Sequence, residues 1–259
     1  MKSAKTISII GLVGFPTVNT GDDLAAIIKG AAQKQGVLIE DGDILVVAQK
    51  IVSKAEGRIF RLKSVQPSEK AKEIARTTLK DPRFVELVLR ASQRIIKASS
   101  DTLIVEDNNG IVCINAGIDK SNVKGVDSYA LLPSNPDDSA KNIRRNIMET
   151  TGKNVAVIIS DTYSRPFRKG QVEYAIGLAG IAPFRDYRGK PDLYNYILKV
   201  KNIAIADEIA AAAELVMGQG SEGIPVAIVK NLDSAELTEK YATKDLFISK
   251  QEDLFKGTL

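Results

Sequence analysis

The segment MGQGSEGIPVAIV, residues 217–229, carries Gly218, Gly220 and Gly223 in the G-x-G-x-x-G spacing of dinucleotide-binding folds. In those folds the glycines leave a strand and open a helix, so that the pyrophosphate rests on the first N–H groups of the helix. Here the order is inverted. Upstream, NIAIADEIAAAAELVMG is rich in Ala, Glu, Leu and Met and reads as a helix, while downstream IPVAIV is a short β-branched run that reads as a strand. A Rossmann arrangement therefore lacks its required context, and with no G-x-x-x-x-G-K-[ST] in the chain a P-loop is absent too. One glycine at C′ is enough to stop a helix. Three within six residues leave open both a helix stop and a loop whose backbone approaches an anion.

The rest of the chain interleaves helices and strands irregularly. A strand near 6–12 precedes a helix over 22–34, with Thr20 or Gly21 near its N-cap and Gly36 at its stop. DILVVAQKIVSK reads as a buried strand whose polar end carries Gln49, Lys50, Ser53 and Lys54. Helices starting at Ser68 and Asp81 have acids early and basic residues late, as the helix dipole favours. DTLIVEDNNGIVCINAGI reads as a hairpin turning at Asn108, Asn109 and Gly110. A Pro/Ser/Asp loop leads to a helix over 139–150, and NVAVIISDT reads as a central strand delivering Asp161 and Thr162 at its C-terminal end. The glycine-punctuated stretch 170–181 suggests close packing of a helix, and the last 28 residues suggest a peripheral helix and strand. This order predicts an α+β fold of mixed layers, neither a Rossmann nor a P-loop fold.

Composition narrows the chemistry. Histidine is absent, which removes imidazole bases, Ser-His-Asp triads and His metal ligands and leaves carboxylates, amides, hydroxyls, Lys and Arg. The lone Cys113 lies in an apolar run and reads as a core residue, and a single cysteine allows no intrachain disulfide. A net charge of +4, without a dense basic block, argues against nucleic acid but accommodates a small anionic ligand. The N-terminal MKSAKTISIIGLVGF lacks a small-residue cleavage site and reads as a strand; no apolar run reaches membrane-spanning length, so a cytoplasmic protein is expected.

Four polar clusters fall at the ends of the expected elements. In AQKIVSKAEGR, Lys54 is either a solvated charge or an anion contact. In NAGIDKSN, Asp119 and Asn122 flank a loop that turn chemistry alone could explain. In SDTYSRPFRKGQ, Asp161 and Thr162 are hard oxygen ligands suited to Mg²⁺ or Mn²⁺, with Arg165 and Arg168 able to pair with phosphate or carboxylate; a charged turn is the alternative. The glycine loop is the fourth. Together they suggest hard-metal phosphoryl or acyl-phosphate chemistry.

With these clusters in view, the sequence resembles the coenzyme F420-0:γ-glutamyl ligase family, whose acceptor is a deazaflavin. The resemblance rests on GDDLAAII, DGDILVVAQKIVSKAEGR, INAGIDKSNV, ISDTYSRPFRKGQVEYAIGLAGIAPFRDYRGKPDLY and ADEIAAAAELVMGQGSEGIPVAIV, in the family's order and over nearly the whole chain. It implies one ligase unit over 1–259, with two closely packed subdomains as an alternative division. The implied enzyme uses GTP and divalent metal, Mn²⁺ or Mg²⁺ at two ions, to add L-glutamate to the deazaflavin acceptor and then extend a γ-linked tail; K⁺ is a further candidate. By the same resemblance Asp119 and Asp161 are ligands of one metal, and Thr162 and Gln219 of a second. Phe15, Pro16, Thr17, Val18, Gln49, Lys50, Lys54 and Asn122 are nucleotide contacts, joined by the loop of Met217, Gly218, Gln219, Gly220, Ser221, Glu222, Gly223 and Ile224. Lys54, Arg165 and Arg168 would supply positive charge to the chemistry, and Arg185 and Arg188 are candidates for the anionic substrates or for structural ion pairs. GFPTVN is a loose match to the family's N-terminal nucleotide loop, and Gln219 stands where some members have an acid. The resemblance also implies a homodimer, while charge and hydropathy predict no nucleic-acid and no membrane partner. A GTP- and metal-binding sensor, and a ligase of this fold acting on another anionic acceptor, are the competing readings.

Overall fold

A computed structural model describes residues 4–165, 167–233, 235–249 and 251–252. In chain order the strands and helices are β1 (Ser8–Gly11), α1 (Leu24–Lys34), β2 (Ile44–Ala48), α2 (Gln49–Ala55), β3 (Ile59–Arg61), α3 (Glu69–Thr78), α4 (Pro82–Arg90), β4 (Ser92–Ser99), β5 (Thr102–Asp107), β6 (Val112–Ile114), β7 (Ser128–Ala130), α5 (Pro136–Thr151), β8 (Ala156–Ser164), β9 (Gln171–Ala179), β10 (Arg185–Asp186), β11 (Asn202–Ile203), α6 (Ile205–Met217) and β12 (Val226–Lys230). The fold is α+β, with parallel and antiparallel pairs in one main sheet. Among the described residues no helix is long and apolar enough to cross a membrane.

The main sheet has the order β1-β12-β2-β8-β9, with β2 and β8 parallel and every other pair antiparallel. Its centre is dry on both faces, which explains why ILVV and AVII are uninterrupted apolar runs. One face packs Leu45, Val47, Val157 and Ile159 against α1 and α5; the other packs Ile44, Val46, Ala156 and Ile158 against α6. Side chains such as Asp23, Ser68, Asp81 and Asn135 cap the N-termini of α1, α3, α4 and α5, and Pro82 and Pro136 follow two of those caps.

A second, smaller sheet, β4-β5-β6, has its own core: Leu103 and Val105 face Ala71, Ala75, Val85 and Val88 of α3 and α4. The expected hairpin is β5–β6, its turn held by Asp107 Oδ1, which accepts from the N–H groups of Asn109 and Ile111.

Four local expectations change, the first being that Asp23, and neither Thr20 nor Gly21, caps α1. The strand read through DILVVAQKIVSK ends at Ala48, and Gln49, Lys50, Ser53 and Lys54 lie on the short helix α2, whose Ile51 and Val52 pack into the main core. The stretch 170–181 is mostly strand β9, and the close packing comes from the first turn of α5: a Cβ on Gly177 would sit 2.5 Å from the Pro136 carbonyl oxygen. Beyond Leu232 the described residues contain one 3₁₀ turn, Thr243–Leu246, and no strand.

Candidate functional site

The register of the main sheet brings the C-terminal ends of β1, β2 and β8 and the N-terminal ends of β9 and β12 to one edge. There a cleft of about 1130 Å³ opens between that edge and the outer face of the small sheet. The loop after β1, the start of α2, the loop after β6, the end of β8 and the glycine loop after α6 all line it.

Phe15, Pro16, Thr17 and Val18 form one wall. On α2, Gln49 is buried and accepts from the Ser53 hydroxyl at 2.9 Å, while Lys50 Nζ donates to Asp119 Oδ2 at 2.5 Å and Ser121 Oγ at 2.6 Å. Lys54 is different. Burial, then the neighbouring Lys50 charge, pulls its pKa below the ordinary lysine value, and no carboxylate among the described residues pairs with it. A half-buried cation in that condition favours an incoming anion.

The glycine loop follows α6 directly. Gly218 ends the helix at φ 68° and ψ 172°, a backbone that glycine alone enters readily, and Gly223 has φ 67°. Gly220 does not have a positive φ; its N–H donates to Glu222 Oε2 at 2.8 Å, and its carbonyl accepts from Asn122 Nδ2 at 3.0 Å. Asn122, itself at φ 53°, thereby ties the loop after β6 to the glycine loop. Met217, Gln219, Glu222 and Ile224 line the cleft with the glycines, whereas Ser221 is exposed and does not.

Strand alternation splits the end of β8 into two oxygen clusters. Asp161 and Tyr163 continue the face of Val157 and Ile159, on the side of Asp119; Ser160 and Thr162 continue the opposite face, on the side of α6 and Gln219. Burial, followed by the charges of Glu173 and Asp119, pushes the Asp161 carboxyl up to about 7. Burial also raises Asp119, but the hydrogen bonds from Lys50 and Ser121 outweigh it and hold that carboxyl below its usual range.

Directly across from Thr162 on β9 stands Glu173, only 6% exposed. Its Oε1 accepts from Thr162 Oγ1 at 3.0 Å and Gln219 Nε2 at 2.8 Å, while Oε2 is buried with no hydrogen-bond partner among the described residues. Burial raises its pKa, against those hydrogen bonds and the nearby Ser160 hydroxyl. Among the described residues no three Asp, Glu, Cys or His side chains form a metal-holding group by themselves. The donors present, carboxylates supplemented by a hydroxyl and an amide oxygen, are hard oxygen ligands and fit Mg²⁺ or Mn²⁺.

The fold brings together in this cleft every nucleotide, metal and charge-supplying residue expected from sequence except Ser221 and Arg168; Arg168 is exposed, three positions after the cleft-lining Arg165. Arg188 is ion-paired to Asp186, Arg185 lies over the Tyr187 ring, and neither lines the cleft. Cys113 is 6% exposed with its thiol pushed up to about 12 by burial and the charges of Asp107 and Asp161, which makes it a poor nucleophile.

Sequence reasoning missed Glu173 and a whole wall. The outer face of the small sheet puts Lys97, Ile104 and Ile114 in one cross-strand row, beside Ile96 and Val112. Val112 is 58% and Ile114 47% exposed, an apolar surface facing into the cleft opposite the charged end. The alternation in TLIVED was the available signal.

A family model described as F420-0:Gamma-glutamyl ligase matches residues 13–231. The coenzyme F420:L-glutamate ligase of Methanothermobacter thermautotrophicus is 46% identical over 252 residues, covering 97% of this chain and 99% of its own. That of Archaeoglobus fulgidus is 43% identical over 253 residues, with 98% of each chain covered, and that of Methanocaldococcus jannaschii is 44% identical over 85% of this chain and 86% of its own.

Proposed function

The chain belongs to the F420-0:γ-glutamyl ligase family, and from that premise we propose that it joins L-glutamate to the deazaflavin acceptor coenzyme F420-0 by an amide bond, using GTP and an acyl-phosphate intermediate. The observation that carries this reading is the division of one cleft into a charged end and an apolar wall. At the charged end the glycine loop offers close backbone approach, and Lys54 is a cation with no carboxylate partner among the described residues. That combination suits a polyphosphate. The wall of Ile96, Ile104, Val112 and Ile114 suits a flat aromatic ring system, with Lys97 and Arg165 near enough to the same cavity to meet an anionic tail.

The chemistry follows from what a carboxylate lacks. It is a poor acyl donor until its oxygen attacks the γ-phosphorus of GTP and GDP departs; glutamate's amine then displaces phosphate from the acyl carbon. Lys54 and Arg165 stabilise negative charge on the transferring group, and the cleft holds the carboxylate beside the nucleotide. Two divalent ions, one held by Asp119 and Asp161 and a second by Thr162 and Gln219, would supply further charge neutralisation as phosphate oxygens approach. A homodimer, K⁺ dependence and extension of the tail by further γ-linked glutamates belong to the same reading.

The test incubates the full chain with F420-0, GTP, Mn²⁺ and L-glutamate and weighs the products. The expected result is acceptor heavier by a glutamyl residue, with GDP released only when glutamate and acceptor are both present. GDP release that ignores glutamate identifies a sensor or a plain hydrolase, and glutamyl transfer to another acid in place of F420-0 identifies a ligase of different acceptor.

A further inference from the structure

The α6 side of the cleft contains a carboxylate that the hydrogen bonds around it do not account for. Glu173 is 6% exposed, yet among the described residues only one of its oxygens accepts a hydrogen bond; the buried Ser160 hydroxyl lies near enough to favour the charged carboxylate without completing a bond to Oε2. Oε1 accepts from the Thr162 hydroxyl and from the Gln219 amide nitrogen. A carboxylate can only accept, so each contact dictates how its partner points. Donation of the Thr162 proton to Glu173 leaves the hydroxyl lone pairs directed away from it. Donation from Gln219 Nε2 leaves the amide oxygen free for another partner. Both freed oxygens belong to residues that line the cleft.

Thr162 and Gln219 alone are neutral and bind a hard cation weakly. An ionised carboxylate buried with a bare oxygen is unfavourable without compensation, and a cation is the compensation that this ligand set accommodates. The geometry points to Glu173 as the anionic anchor of the second divalent-cation site, the one expected at Thr162 and Gln219 on the α6 side of the cleft, presenting Oε2 to the ion and fixing Thr162 and Gln219 through Oε1. The site stands apart from the cluster of Asp119 and Asp161, because it lies on the opposite face of β8. Its catalytic meaning rests on the ligase reading; its existence as a cation site does not.

Mn²⁺ binding to the full chain is measured from the electron paramagnetic resonance signal of free Mn²⁺, alone and with GDP, without turnover. Glu173→Gln keeps an Oε1 for both donors and places an amide where Oε2 stood, so it removes the charge with little change in shape. The expected result is a roughly tenfold or greater weakening of one class of Mn²⁺, the range typical for groups that set metal ligands. In EDTA the variant should melt no lower than the parent. Glu214→Gln, which removes a nearby charge that does not line the cleft, should leave Mn²⁺ affinity within about threefold, well short of that loss. Unchanged Mn²⁺ affinity in Glu173→Gln, or an equal loss in both variants, overturns the site. If the predicted loss occurs but no glutamate is joined to F420-0, the ligase reading falls and the cation site stands; if glutamate is joined and Glu173→Gln binds Mn²⁺ like the parent, the reverse holds.

Discussion

Asp161 shows how a single residue can be held against its own stability. Burial at the end of a strand, followed by the charges of Glu173 and Asp119, raises its pKa to about 7. Asp119 has Lys50 for compensation and Asp161 has no comparable cation. Replacing Asp161 by Asn removes like-charge repulsion and burial of charge while keeping the shape. In EDTA the variant should therefore unfold at a temperature at least equal to that of the parent, and higher by several degrees if the repulsion is worth about 1–2 kcal/mol. Ligation should fall by at least about a hundredfold, since the anionic oxygen available to a cation at that position is lost. Calorimetry and turnover measured on the same preparation check both halves. A variant that is both less stable and fully active would remove Asp161 from the site and make it a structural residue.

The glycine loop carries its function at the level of an element, and its glycines are not equivalent. Gly218 occupies a φ/ψ region in which a Cβ is strained, and an added Cβ would strike the Glu222 side chain; Gly220 has neither positive φ nor a closer contact than 3.4 Å. Gly218→Ala should cost about 1–3 kcal/mol locally and weaken GTP binding, whereas Gly220→Ala should leave affinity within about threefold. Titration calorimetry with GTP separates the two, and equal affinity in both variants would reduce the loop to a helix stop. The loop was legible in the sequence because the order of helix, glycines and strand is a property of the chain alone. The helix α2 was not. Its Ile51 and Val52 resume the apolar run of β2 after only Gln49 and Lys50, and seven residues are too few for a period of 3.6 to separate from a period of 2. The same ambiguity hid β4, whose QR and IK pairs leave it mostly exposed and whose register with β5 is broken by bulges. Glu173 was hidden for another reason: its value comes from standing across from Thr162, and cross-strand register is not written locally in either segment.

At the scale of the whole molecule, one architectural choice governs the chemistry. The main sheet ends where the small sheet turns its uncovered face, so a charged edge and an apolar wall share one cavity. A nucleotide on the charged edge and an acceptor ring on the wall would place the acceptor's carboxylate between them. Imidazole and thiolate, two side chains that commonly carry a transferred group, are both out of reach, because the chain has no histidine and the Cys113 thiol is held at about 12. Direct phosphorylation of the acceptor is the route that this arrangement favours. Acceptor labelled with ¹⁸O in its carboxylate distinguishes it from the alternatives. The labelled oxygen that attacks the γ-phosphorus stays with that phosphorus when glutamate's amine cleaves the acyl C–O bond. Each amide formed should therefore release inorganic phosphate carrying one labelled oxygen. A phosphorylated or guanylylated enzyme that never transfers its group to the acceptor leaves the phosphate unlabelled. Mass spectrometry of the phosphate gives the answer, and unlabelled phosphate accompanying amide product would reject the acyl phosphate while leaving family membership untouched.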